Sequence, residues 1–320
     1  MLKTFLKRLF QIIPTLLVVV TITFIITRMI PGNPAATILG PQASAEEIEK
    51  LSEELGLNES IWKQYFNYLG DLLKGDFGTS YSYNQPVARL ISDRIPNTLV
   101  ISLSSIVLAI LIGIPIGILS AVKQYTLFDY ISMILALIGV SMPIFWLGLM
   151  LVLVFSVNLG WLPSLGMGSM EKGLWDVVSH MVLPVACLAT IPTATFARIT
   201  RSSMLEVINA EYIKSLRAGG LKETVIICKH ALKNALPPIV TVLGLQLATS
   251  FTGAILTETI FSWPGMGTLI VGAIENRDYV LIQGAVLLTA SAFVFINLLV
   301  DVAYMFINPK VTYDSAKGGA

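Results

Sequence analysis

Long apolar blocks alternate with polar stretches along this 320-residue chain. The first runs from Leu9 to about Ile30, broken only by Gln11, Pro14 and threonines. It exceeds the roughly 7–15-residue core of a signal peptide, so it predicts a retained first membrane span. Further spans are predicted over residues 99–121, 130–157, 181–197, 239–256 and 281–307. Gly113, Pro115 and Gly117 predict a flexible or kinked centre for the second. The third is interrupted near its middle by Gly139-Val140-Ser141-Met142-Pro143. A proline there frees a backbone carbonyl, which suits either a packing kink or the wall of a pathway. The fourth is poor in leucine and rich in Thr190, Thr193, Thr195, Pro184 and Pro192, which suits close helix packing or a polar path. In the fifth, Gln246 and Thr249 are candidate pathway residues beside Ser141 and Pro143, because an amide in hydrocarbon is costly unless it faces protein or water. A helix–helix hydrogen bond satisfies Gln246 equally well. Asp301, near the inner end of the sixth, is expected to pair with a basic loop residue.

Residues 31–97 form a polar insert with its own helical patterns. Ser44 with Glu47 fits a capping box ahead of the apolar face Ile48, Leu51 and Leu55, with Gly56 closing the helix. Asn58 is expected to cap a second helix bearing Ile61, Trp62, Tyr65, Phe66, Leu69 and Leu72, suited to the membrane interface or to packing on the spans. A third short helix is expected from Val87 to Ile95, stopped by Pro96.

Charge orients these elements. Charged residues are 13% of the chain, against about 25% in a soluble domain, so most of the surface faces something other than water. Lys3, Lys7 and Arg8 place the N-terminus in the cytoplasm, and an even number of spans returns the C-terminus there. The insert then lies outside. A net charge of +1 gives no case for nucleic-acid binding. Cys187 and Cys228 lie on segments with no reason to pair, and two histidines are too few for an ordinary metal site.

The most basic polar segment of the second half runs from Arg198 to Pro238 and is expected inside. Leu205, Ile208, Tyr212 and Leu216 form one apolar stripe; Leu221, Val225, Ile226 and His230 form another. Gly219 and Gly220 between them allow positive φ and a close approach by a partner backbone. Two short helices around a glycine turn make a docking knob; a plain solvated loop joining two spans has the same periodicity.

The residues themselves separate these readings. Glu211-Tyr212, Arg217-Ala218-x-Gly220-Leu221 and His230-Ala231-Leu232-x-Asn234-Ala235-x-x-Pro238 closely resemble the cytoplasmic "EAA" loop of ABC importer permeases of the peptide-transporting branch. Gly219 stands where the family is often basic. The resemblance extends over nearly the whole chain. It takes in Arg8-x-x-Gln11-x-x-Pro14, Pro31-Gly32-Asn33-Pro34 (with Asn33 for the usual Asp), Gly75-Asp76-Phe77-Gly78, Trp161-Leu162-Pro163 and Glu258 to Gly267. Asn308-Pro309-Lys310 stands where the family has Asp-Pro-Arg.

The resemblance implies an all-α polytopic membrane protein with six transmembrane helices, both termini cytoplasmic, and a helical extracytoplasmic insert after the first span. Its parts are the tail and first span (1–30), the insert (31–97), a five-helix permease core (98–307) with the coupling loop at 199–235, and a cytoplasmic tail (308–320). It implies that Glu211, Tyr212, Leu216, Arg217, Ala218, Gly220, Leu221, His230 and Asn234 couple to an ATPase. It also makes Phe261, Trp263, Pro264, Gly265, Arg277 and Asp278 a candidate rim for a binding protein. The implied partners are a second homologous permease subunit, two ATPase subunits, an extracytoplasmic substrate-binding protein and the lipid bilayer of a bacterial or archaeal plasma membrane.

No Gly-x-x-x-x-Gly-Lys-Ser/Thr loop, Gly-x-Ser-x-Gly elbow or buried titratable relay occurs, so the chain is expected to be non-catalytic. No cofactor is expected in this chain, with ATP and magnesium held by the partner ATPases. The expected cargo is di- or oligopeptides, with nickel or a metal chelate as the alternative. A stand-alone channel, an intramembrane enzyme and a non-transporting receptor for a binding protein are the readings from other classes.

Overall fold

The structure, a computed structural model, describes residues 2–29, 33–40 and 42–307, with side chains described for 10–29, 33–40, 42–250 and 254–298. The expectations for Pro31, Gly32, residues 308–320 and the side chains of Lys3, Lys7, Arg8 and Asp301 lie outside these. The chain is helical almost throughout: α1 Leu2–Met29, α2 Pro34–Leu39, α3 Ala45–Glu54, α4 Ile61–Leu73, α5 Val87–Val122, α6 Leu127–Ser141, α7 Ile144–Leu151, α8 Leu174–Ile208, α9 Glu211–Ala218, α10 Glu223–Val225, α11 Leu232–Ile260, α12 Met266–Glu275 and α13 Tyr279–Ile307. A two-residue antiparallel pair, β1 (Thr79–Ser80) with β2 (Gln85–Pro86), precedes α5.

Among the described residues, five helices are long and apolar enough to cross a membrane, and a sixth crossing requires α6 and α7 to count together. Those two meet at 105°, so the expected third span is broken rather than kinked. The cause is local: Pro143 holds Met142 extended (φ −74°, ψ 132°) and itself caps α7. The Ser141 hydroxyl turns back onto the Leu137 carbonyl, 2.8 Å away.

The chain divides into two compact units. Of the described residues, one unit comprises those within 2–6, 99–263 and 293–307; the other comprises those within 7–98 and 264–292. In the first, α5 and α8 approach closely at two glycines. A Cβ on Gly113 would lie 2.6 Å from the Thr193 carbonyl oxygen, and one on Gly117 would lie 2.6 Å from that of Ala197. These glycines serve helix contact, and α5 runs through them and Pro115 without a break. Asp129 of α6, almost wholly buried, accepts a bidentate pair of bonds from Arg201 of α8 at 2.6 and 2.7 Å. Arg198 and Arg201, expected in the loop, therefore belong to α8.

In the second unit the Ser44–Glu47 capping box forms, and Gly56 takes φ +65° just past the end of α3. Ser60, not Asn58, caps α4 through the Lys63 N–H; Asn58 instead donates to Glu49. The helix beginning at Val87 does not stop at Pro96 but continues to Val122. Contacts on either side of the next turn carry it through. Asn97 donates to the Pro264 carbonyl at 2.7 Å, and Thr98 accepts from the Met266 N–H at 2.8 Å. Asn33 caps α2 through the Ala35 N–H and donates its amide to the Ser52 hydroxyl at 3.1 Å. That hydroxyl already gives its proton to the Ile48 carbonyl, so it needs a donor, which an Asp at 33 would lack.

Candidate functional site

The segment 199–235 resolves into the end of α8, the short helix α9, a glycine turn and a wide π-helical turn at Ile226–Ala231 leading into α11. The apolar stripe read from Leu205 to Leu216 spans two helices, because the chain breaks at Asn209 and runs extended at Ala210 (φ −69°, ψ 148°). The break rotates the register, so Ile213 rather than Tyr212 turns inward. Ile213 is fully buried, in a cluster with Ala121 of α5, Met204 of α8, Ile226 and Ala231 of the π turn, and Ala235 of α11. Leu216 packs on the same cluster. Nothing marked Ile213 beforehand except that it is three residues from Leu216 and flanked by polar residues.

The end of α9 explains the glycines. The Gly220 N–H donates to the Arg217 carbonyl at 3.0 Å and the Leu221 N–H to the Leu216 carbonyl at 3.3 Å. This is a Schellman stop, which requires a left-handed residue at its C′ position. Gly220 supplies it with φ +77°, whereas Gly219 stays at −76° and needs no glycine. Across the turn, Arg217 holds Glu223 with two bonds, at 2.7 and 3.1 Å. Hydrogen bonding to Glu223 raises the Arg217 pKa above the usual arginine value. Tyr212 is pinned from the other side by Asn234, which donates to its hydroxyl at 2.8 Å and to the His230 carbonyl at 3.1 Å.

The coupling residues expected from the sequence are thus brought together. Glu211, Tyr212, Arg217, Ala218, Gly220 and Leu221 are exposed on α9 and its turn, with Leu216 half-buried beneath. Asn234 bonds Tyr212 directly, and His230 takes part through its backbone. The arrangement is a polar face held at fixed height above the ends of three long helices.

The other candidates fare differently. Ser141 and Pro143 are exposed at the α6–α7 break, and Thr249 is exposed with its hydroxyl on the Leu245 carbonyl at 2.9 Å. The Gln246 side chain makes no hydrogen bond among the described residues. No hydrogen bond joins this pair on α11 to Ser141 or Pro143 among the described residues.

Most side chains of the proposed rim are interior. Phe261 packs in a cluster with Leu183 and Cys187, and Trp263 in one with Ile101, Val185 and Leu188. In the second unit Asp278 is buried and caps α13 through the Leu281 N–H. It also accepts from the Ser80 hydroxyl at 2.6 Å and the Ser82 N–H at 3.0 Å. Gly265 is buried at the start of α12, Pro264 is half-buried, and only Arg277 is well exposed. Residues chosen for their turn chemistry therefore anchor the block, because an aromatic or carboxylate in a tight turn needs partners that the interior supplies.

Comparison with known proteins places this geometry. Residues 113–313 match the family described as the binding-protein-dependent transport system inner membrane component, and residues 1–103 match its N-terminal family. The chain belongs to this family. It is a multi-pass inner-membrane permease subunit of an ABC importer, a class that works with separate ATPase and substrate-binding components. The dipeptide transport system permease protein DppB of Alkalihalophilus pseudofirmus is 47% identical, over 98% of this chain and 100% of its own. DppB of Escherichia coli is 41% identical, over 98% and 99%. The glutathione transport system permease protein GsiC of Escherichia coli is 41% identical, over 98% and 100%. Among solved structures, a chain of the MetNI methionine ABC transporter in an inward-facing conformation is similar in fold. Its TM-score is 0.57 at 20% identity, covering 69% of this chain and 97% of that one.

Proposed function

We propose that this subunit carries di- or oligopeptides into the cell, paired with a second homologous permease and driven by two ATPase subunits that hold ATP and magnesium. Substrate arrives from a binding protein on the side of the insert. The observation that carries the coupling role is the seating of α9. Its one buried residue, Ile213, lies in a cluster with Ala121 of α5, Met204 of α8 and Ala235 of α11, while its polar face is exposed for a partner. Nucleotide-driven movement of that partner would displace α9 and shift the spans between inward- and outward-facing states.

The names of the relatives, dipeptide and glutathione permeases, favour a peptide cargo over nickel or a metal chelate. The test is a mild-detergent pull-down of the tagged chain from its native membrane, with mass spectrometry of the proteins and small molecules recovered. A second permease, ATPases and a binding protein holding peptides are expected. A binding protein holding nickel or a chelate would replace the cargo, and recovery of the chain alone would overturn the coupling role.

A further inference from the structure

In the unit built from residues 7–98 and 264–292, two clefts follow one face of α1. The first is an apolar groove of about 410 Å³ whose walls include Ile13, Leu17 and Val20 of α1, Leu69 and Leu73 of α4, and Leu288 of α13. The second is a polar cleft of about 240 Å³ near the other end of the same face, walled by Arg28, Gln64, Tyr68 and Asp76. Phe77 is a wall of both. Positions 13, 17, 20, 24 and 28 recur at three- and four-residue steps, so groove and cation share a line along the helix.

The polar cleft carries both signs of charge. Arg28 is exposed, lies 5.3 Å from the centre of the Phe24 ring, and has no carboxylate partner among the described residues. Asp76 has no basic partner there either and accepts only the Gly78 N–H at 2.8 Å. The cleft's other carboxylates, Glu59 and Asp71, pair with Lys63 at 2.6 Å and Lys74 at 3.2 Å. Two further polar atoms in its wall, the Tyr68 hydroxyl and Gln64 Oε1, are buried without a partner among the described residues. Burial of the Tyr68 ring pushes its pKa up to about 12, so the hydroxyl is a neutral donor at physiological pH.

We infer that the groove and cleft together bind one aminophospholipid of the leaflet on the insert's side. Its phosphate faces Arg28 and the Tyr68 hydroxyl, its ammonium faces Asp76, and an acyl chain lies in the leucine groove. Dimensions agree. From Arg28 to Ile13 is fifteen residues of helix, about 22 Å at 1.5 Å per residue. Half of a bilayer of about 40–45 Å, headgroup to midplane, has the same depth. A purely anionic headgroup fits less well, because it would meet Asp76, Glu59 and Asp71 with a single free cation among the described residues of the cleft. The α4 face beside the groove exposes Trp62, Phe66 and Leu73, as an interfacial helix does.

The test uses the full chain, purified in mild detergent, delipidated, and titrated with phosphatidylethanolamine or phosphatidylglycerol under native mass spectrometry. One phosphatidylethanolamine is expected to be retained in preference to phosphatidylglycerol. Arg28→Gln should weaken retention about tenfold, the loss of one charge-assisted contact to phosphate. Arg28→Lys should keep most of it. Leu288→Trp, which fills the groove without touching the charge, should also release the lipid, and it carries the test if Arg28→Gln does not fold. Equal retention by the wild type and both disabling variants overturns the site. So does equal affinity for glycerophosphoethanolamine, which lacks acyl chains, or displacement of the lipid by soluble dipeptides; either makes the cleft a site for small zwitterions instead.

Discussion

Ile213→Ala tests whether α9 is held by docking or by its own helicity. The helix has eight residues, below the roughly 12–15 at which an isolated helix becomes even marginal in water. Ile213 is its single buried residue, with 0% of its surface exposed. Truncating a buried isoleucine to alanine costs about 2–5 kcal/mol, depending on how far the site collapses. Collapse is restricted here, because Met204, Ile226, Ala231 and Ala235 belong to long helices or their joints and cannot follow the missing atoms. A loss of about 3 kcal/mol is roughly a 150-fold change in the docking equilibrium. What remains is the Tyr212–Asn234 bond, the half-buried Leu216 and the exposed Arg217–Glu223 pair, each worth about 1 kcal/mol or less.

Hydrogen exchange read by mass spectrometry over residues 205–222 of the full chain gives the answer directly. Amides of α9 and of Gly220 and Leu221 should exchange on the order of a hundredfold faster, with α8 amides before Ile208 unchanged. ATP-driven uptake by the assembled transporter should fall in parallel, at normal membrane levels of the chain. Unaltered exchange in α9 would refute the docking argument; faster exchange with full uptake would refute α9 as the lever.

Two further substitutions probe the frame behind α9. Gly117→Ala places a Cβ 2.6 Å from both the Ala197 carbonyl oxygen and Thr200 Cβ, so α5 and α8 must part. A destabilisation of about 1–3 kcal/mol is expected, read as a lower melting temperature in detergent. Asp129→Asn leaves Arg201 without its carboxylate and should cost about 3–5 kcal/mol, whereas Asp129→Asn with Arg201→Met should be markedly milder. Thermal unfolding of the two variants side by side distinguishes a broken pair from a lost contact.

The range of each interaction decided whether it was legible in the sequence. The spans were legible because twenty apolar residues in a row have few other uses, and the Ser44–Glu47 box because capping is settled within four residues. Gly220 was legible as a turn, though the sequence could not tell that it alone, and not Gly219, takes positive φ. Pro96 misled because its local cost is overridden by Asn97 and Thr98, whose partners lie 167 and 168 residues away. The Asp129–Arg201 pair, 72 residues apart, left no local trace, and Arg201 read as one more loop cation. Ile213 was hidden by a break at Asn209–Ala210 that has neither glycine nor proline to announce it. In the 258–267 block, the same aromatic and turn residues that suit a partner surface also suit an anchor, and only burial separates the two.

These long-range contacts decide what a displaced α9 can move. Within the unit that holds it, Ile213 shares one buried cluster with residues of α5, α8 and α11, so no single span takes the load. The glycine contacts at 113 and 117 hold α5 close to α8 over one turn, and the Asp129–Arg201 pair binds α6 to α8 near the same end. A packed set joined this way resists shear between its helices, because close-packed interiors have discrete arrangements rather than a continuum. A push on α9 is then transmitted as movement of α5, α6 and α8 together. The α6–α7 break at Met142–Pro143 lets α6 turn relative to α7, since the extended backbone there carries no helical hydrogen bonds across the joint, while α7 stays packed on α8 through Ile144 and Leu147 against Leu183 and Cys187. In the alternating-access reading, α9 is therefore the handle of a bundle that includes α7, and the 105° break, exposed at Ser141 and Pro143, is the joint at which α6 and α7 can change direction.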